Sequence, residues 1–181
     1  MTSICIFCGS NEGLNPAYKQ ATLELVDFLV KQHISLVFGG NRSGLMQVFA
    51  DRALQQGGRV TGVTPKAMAE RGIAYKNLTE LHVTEDLHER KKRMSQLSDA
   101  FIALPGGFGT MDELFQELTL ALSGTHNKVC GLLNTEHYYD HLVSFIEHGA
   151  ENGLMPPHWQ DALIVEPTPE LLITRLLRAI K

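Results

Sequence analysis

Ala100-Phe101-Ile102-Ala103-Leu104-Pro105-Gly106-Gly107-Phe108-Gly109-Thr110-Met111-Asp112-Glu113 is the stretch on which the reading of the whole chain turns. Its first five residues form an apolar run of the length of a buried strand. Beyond it, Leu114, Phe115, Leu118, Ala121 and Leu122 recur at helical spacing. The stretch is therefore a strand, a turn and a helix start, with Gly106, Gly107 and Gly109 giving three glycines in four positions. Unpaired N–H groups and the positive dipole end at such a helix start favour a phosphate. The same residues also satisfy the S/T-x-x-E capping box, in which Glu113 reaches back to a backbone N–H and carries no function. Met111, Leu114 and Leu118 define the expected core face. Glu113, Glu117 and Leu120 fall on the far side.

Working outward, the same alternation repeats. Ser3 to Cys8 is a first strand ending at Gly9-Ser10, and Asn15-Pro16 opens a helix through about Lys31. A second strand, Ile34 to Phe38, runs into Gly39-Gly40-Asn41-Arg42-Ser43-Gly44, and a helix follows from Leu45 to about Gln56. Arg59 to Thr64 is a third strand, residues 66–78 are ambiguous, and Leu81 to Val83 is a short fourth strand before a charged helix from about Asp86 to Leu97. After the central stretch come a strand at Val129 to Leu133 and a helix from Tyr138 to His148. A loop-like stretch from Gly149 to Trp159, a strand at Leu163 to Val165 and a last helix from Pro169 to Ile180 complete the chain. Strands alternating with helices over short connections predict an α/β fold, a Rossmann-like doubly wound parallel sheet forming a single domain over residues 1–181. In such sheets ligands bind beyond the carboxyl ends of the strands, where all three glycine turns would meet.

Composition narrows the classes. A hydrophobic content of 44% and a charged content of 20% suit a globular domain, and 181 residues can bury about 70% of the unfolded surface. A net charge of −4 argues against a nucleic-acid partner bound by bulk electrostatics. No apolar run reaches membrane-span length, and Met1-Thr2-Ser3-Ile4 has no basic leader character, so no membrane partner and a cytoplasmic location are expected. Three cysteines do not make a disulfide framework. Cys5 and Cys8 fall in the first strand, away from a helix start where a redox pair would sit.

The glycine turns fit neither G-x-G-x-x-G in its proper place nor a Walker loop, which leaves a mononucleotide or a sugar phosphate. His137 and His141 stand i, i+4, but Tyr138 occupies the place of a zinc protease's glutamate, so no metal is expected. In Glu89-Arg90-Lys91-Lys92-Arg93, Arg90 shares a helical stripe with Leu87, Met94 and Leu97. An arginine placed there must find an anion or snorkel out. Lys92 and Arg93 read as solvated.

Taken together, Pro105 to Glu113, Glu89-Arg90-Lys91, Phe38-Gly39-Gly40, Phe7-Cys8-Gly9-Ser10, Gly131-Leu132-Leu133-Asn134 and Tyr138-Tyr139-Asp140 resemble the Lonely Guy (LOG) family of cytokinin-activating phosphoribohydrolases. Members of that family often carry the label "lysine decarboxylase". The resemblance implies a Rossmann-like fold, a homodimer or an assembly of dimers, and no cofactor. It implies hydrolysis of the N-glycosidic bond of a nucleoside 5′-monophosphate, with Arg90 and Glu113 as the essential pair. It further implies substrate contacts at Gly9, Ser10, Gly40, Lys91, Gly106, Gly107, Gly109, Thr110 and Thr119. Asn41, Ser43 and Gln47 depart from the family's G-G-G-x-V-G-L-M-G, Gly72 stands where a glutamate is common, and Leu120 stands where the family has tryptophan. These changes fall where the base pocket or the dimer contact would be, so AMP or another purine nucleotide joins the prenylated nucleotide as an expected substrate. A nucleotide sensor or carrier on the same fold is the alternative.

Overall fold

The computed structural model describes residues 2–180; Met1 and Lys181, the ends of the expected domain, lie outside the described residues. Seven strands form one parallel sheet: β1 (Ser3–Phe7), β2 (Ser35–Phe38), β3 (Val60–Pro65), β4 (Glu80–Thr84), β5 (Ala100–Ala103), β6 (Cys130–Leu133) and β7 (Leu163–Glu166). Their order is β4-β3-β2-β1-β5-β6-β7, so the chain winds outward from β1, crosses back and winds outward again from β5. The helices are α1 (Pro16–Lys31), α2 (Gly44–Gln55), α3 (Lys66–Glu70), α4 (Leu87–Gln96), α5 (Phe108–Leu122), α6 (Asp140–Glu151) and α7 (Pro169–Ala179).

The inner strands are covered on both faces, which is why β1, β2, β5 and β6 read as nearly unbroken apolar runs. Ile4, Ile6, Leu36, Phe38 and Ile102 point to one core with residues of α1, α2 and α7. Cys5, Phe7, Val37, Phe101 and Ala103, one residue out of phase, point to a second core with Met94, Leu114, Leu118 and Ile146 of α4, α5 and α6. Burying a large aliphatic or aromatic side chain stabilises by about 1.5–3 kcal/mol, and the two layers together tie six strands into the fold. The edge strand β4, largely exposed or half-buried, is held by its pairing with β3.

Local signals set the ends. Asn15 caps α1 by accepting the N–H of Ala17 at 2.9 Å, with Pro16 in the first turn. Asp86 accepts the N–H of Glu89 at 2.8 Å and Glu89 accepts the N–H of Glu85 at 2.8 Å, a reciprocal cap at the start of α4. The ambiguous residues 66–78 hold the short α3 and a segment that folds back on the second glycine turn: Tyr75 donates its N–H to the carbonyl of Gly40 at 2.8 Å. The helix expected from Tyr138 begins later. Residues 135–137 form a 3-10 turn with Glu136 and His137 at positive φ, and α6 then runs to Glu151, taking in Gly149 from the expected loop.

The reversal of winding falls between β1 and β5. There the N–H of Gly9 donates to the carbonyl of Pro105 at 3.1 Å, and the N–H of Leu45 to the carbonyl of Gly9 at 3.1 Å. The three glycine turns therefore lie side by side along one rim.

Candidate active site

The turn after β5 delivers the start of α5 open to solvent. Its cap position is Gly107, with no side-chain hydrogen bond, so the expected capping box is not formed. Thr110 is already inside the helix and buried, and Glu113 turns elsewhere. Gly106 is required by close packing, since a Cβ there would lie 2.1 Å from Thr110 Oγ1. At Gly107 and Gly109 a Cβ would meet nothing within 4 Å, which leaves open space over the first-turn amides. Two tyrosines tie the turn down by its carbonyls: Tyr139 donates to Leu104 at 2.6 Å and Tyr138 to Gly106 at 2.8 Å. With the carbonyls held, the amides of the uncapped end are left for an anion. Gly9, Ser10, Gly106, Gly107, Tyr18 and Tyr138 surround a cavity of about 250 Å³ here.

Arg90 and Glu113 meet on the α4–α5 side of the same rim. Arg90 Nη1 lies 3.1 Å from Glu113 Oε1, with the side chains only 11% and 10% exposed. Arg90 Nε donates to the carbonyl of Val63 on β3 at 3.0 Å. This meets the expectation that an arginine on the inner stripe of α4 finds an anion, although Leu87 of that stripe is exposed. The expected placement of Glu113 on the far side of α5 is corrected, because the buried face of α5 comprises Thr110, Glu113, Leu114, Glu117 and Leu118. Burial pushes the Glu113 carboxyl above the ordinary 4.5, Arg90 opposes the rise, and Asp112 adds to it. Such a carboxylate can stabilise a cation forming beside it or take a proton from water.

Lys91 and Thr119 fall in a different depression of about 380 Å³, with Met111, Phe115 and Leu120 on the outer face of α5. Lys91 Nζ is paired with both oxygens of Asp112 at 2.9 Å, and Thr119 donates to the carbonyl of Phe115 at 2.7 Å. The structure does not bring these two into the cavity of the glycine turns. Gly40 has φ +69°, and next to it Asn41 has a buried Oδ1 without a hydrogen-bond partner. Among the described residues no group of three His, Cys, Asp or Glu side chains could hold a metal ion, and no helix is long and apolar enough to cross a membrane. Sequence reasoning gave no role to Tyr138, Tyr139, Asp112, Glu117 or His126. Only the place of Asp112 and Glu117 beside Glu113 could have pointed to two of them.

The sheet order and its rim define a doubly wound, Rossmann-like α/β protein. That fold recurs in the molybdenum cofactor binding protein from Rippkaea orientalis, 20% identical with a TM-score of 0.73 over 99% of this chain and 98% of that one. The Moco carrier protein from Chlamydomonas reinhardtii is 18% identical with a TM-score of 0.71 over 98% and 96%. In sequence, residues 46–176 match the family described as "Possible lysine decarboxylase". The Arabidopsis thaliana cytokinin riboside 5′-monophosphate phosphoribohydrolase LOG1 is 42% identical over 96% of this chain and 81% of its own length. The enzyme of that name from Rhodococcoides fascians is 44% identical over 90% and 83%. The chain belongs to the LOG family.

Proposed function

We propose that this chain hydrolyses the N-glycosidic bond of a nucleoside 5′-monophosphate, giving free base and ribose 5-phosphate. The observation that carries the reading is the buried Arg90–Glu113 pair beside the uncapped, glycine-lined start of α5. The names of relatives more than 40% identical support it. In this reading the 5′-phosphate takes the open first turn of α5, with Gly9, Ser10, Gly106, Gly107, Gly109 and Thr110 around it, and holds the reacting bond in place. As the C1′–N bond breaks, its electron pair leaves with the base and positive charge gathers on the sugar, where Glu113 stabilises it. Water adds its oxygen to C1′ and its proton is passed on to the departing base. Arg90 binds the substrate and favours that departure.

The finer parts of the proposal rest on separate support. The relatives' names point to cytokinin riboside 5′-monophosphate, while the departures at Asn41, Gly72 and Leu120 favour AMP or a wider purine range. An apolar groove lined by Phe115, Leu122, Met155 and Trp159 supports a homodimer or an assembly of dimers. Three free, buried thiols are in keeping with the cytoplasm. Gly40, Lys91 and Thr119 complete the proposed substrate contacts, Lys91 by exchanging Asp112 for the ligand. The test is chromatography of products from AMP and from an N6-prenylated AMP, with the wild type beside Glu113→Gln. Base and ribose 5-phosphate from the wild type alone are expected. Intact nucleotide from the wild type despite measurable binding would replace the enzyme with a sensor or carrier.

A further inference from the structure

Helices α4 and α5 are joined by three polar rungs. Lys91 pairs with Asp112 at 2.9 Å, Arg90 with Glu113 at 3.1 Å, and Ser95 Oγ donates to Glu117 Oε2 at 2.9 Å. The third rung lies one helical turn below the second, since Glu117 is four residues beyond Glu113. Its carboxylate is the most deeply buried of the three, with the Glu117 side chain 2% exposed. His126 Nε2 lies 3.1 Å from the same oxygen of Glu117. The N–H of Lys128 donates to His126 Nδ1 at 3.2 Å, which leaves the ring proton on Nε2, aimed at the carboxylate. Lys128 Nζ in turn donates to the carbonyl of Ser95 at 2.7 Å, closing a ring of contacts between α4, α5 and the segment before β6.

A carboxylate at that depth is costly to bury, and an apolar set in place of Glu117, Ser95 and His126 together would hold the helices as well. A three-membered hydrogen-bond set is directional, so it favours one register of α4 against α5 more sharply than a non-directional apolar contact does. We propose that Glu117 is a positioning residue: through Ser95 and His126 it holds α4 against α5 in the one register that sets Arg90 on Glu113. The proposal rests on the reading of Arg90 and Glu113 as the working pair. It assigns Glu117 no contact with substrate. Its charge also reaches below the pair: burial first, and then Glu113 and Glu117, push the Cys5 thiol up.

Three variants and two readouts test this. Glu117→Val removes the rung with an apolar replacement, Ser95→Ala removes its donor, and Glu117→Gln keeps an oxygen acceptor for both Ser95 and His126. For Glu117→Val we expect kcat for AMP, per folded molecule, to fall on the order of tenfold to a hundredfold while KM moves little. The melting temperature falls as well, because Ser95 and His126 lose their shared acceptor. Ser95→Ala is expected to follow it in direction, and Glu117→Gln to recover most of the loss. The second readout is the Arg90 Nε–H proton resonance, which is independent of turnover. Its slow exchange with water should be lost in Glu117→Val and kept in Glu117→Gln. A Glu117→Val protein with wild-type kcat and an unchanged Arg90 signal overturns the proposal. So does a kcat that falls only in step with the folded fraction. If the wild type releases no base from any nucleotide, the hydrolase reading fails, and the Arg90 signal still decides the role of Glu117.

Discussion

Gly39 and Arg90 share one volume: a Cβ at position 39 would lie 1.8 Å from Arg90 Nη2 and 2.9 Å from its Cζ. The glycine just after β2 leaves room for the Nη2 end of the guanidinium on its way from α4 to Glu113. Gly39→Ala must push the guanidinium off both the Val63 carbonyl and Glu113. Turnover is expected to fall by about a hundredfold, as for a misplaced catalytic group. Overpacking costs about 1–3 kcal/mol, so the chain still folds. Base release and circular dichroism on the same preparation check this, and an active Gly39→Ala would mean that Arg90 can work from elsewhere.

The raised Glu113 carboxyl fixes a pH dependence. Between 4.5 and its higher folded-state value, the folded chain keeps a proton that the unfolded chain has released. This group's contribution to stability is therefore most favourable below 4.5 and declines as pH rises through that window. Glu113→Gln removes the titration, so the melting temperature of the variant relative to wild type should climb with pH across the same window. The acid limb of kcat, which needs the carboxylate, should lie above 4.5. A variant whose relative stability falls as pH rises would contradict the assignment.

Gly106 and Gly107 separate packing from ligand binding at adjacent positions. A Cβ at Gly106 strikes Thr110 Oγ1 at 2.1 Å, whereas at Gly107 it meets nothing within 4 Å. Gly106→Ala should lower both the melting temperature and nucleotide affinity. Gly107→Ala should leave the unfolding free energy within about 0.5 kcal/mol of wild type and weaken nucleotide binding alone. Thermal melts with and without AMP read both effects. An undiminished AMP-induced shift in Gly107→Ala would move the phosphate away from this turn.

Much of this was legible in the sequence, for reasons that differ by element. β1, β5 and β6 announce themselves because strands buried on both faces need continuous apolar runs, and Pro16 and Gly57 mark helix ends by backbone geometry alone. The faces of α5 were not legible. A helical wheel built from Met111, Leu114 and Leu118 assigns every carboxylate to water, whereas Glu113 and Glu117 are buried because their partners, Arg90, Ser95 and His126, lie on other segments. The capping box was misplaced for a related reason. Thr110-x-x-Glu113 and Asp86-x-x-Glu89 match the same pattern, and only the second has a helix starting where the box requires. Tyr138 was invisible as an anchor because its acceptor is a backbone carbonyl 32 residues away.

The path of the chain through the sheet has a consequence for activity. Arg90 takes its position from Gly39 and Val63, in the half of the sheet wound outward from β1, while Glu113 belongs to the half wound outward from β5. Helix α4 is the crossover between them. Neither half of the molecule contains both members of the pair, so the two meet only where the β1–β5 seam is closed. With Arg90 and Glu113 as the proposed working pair, turnover requires that this seam be closed.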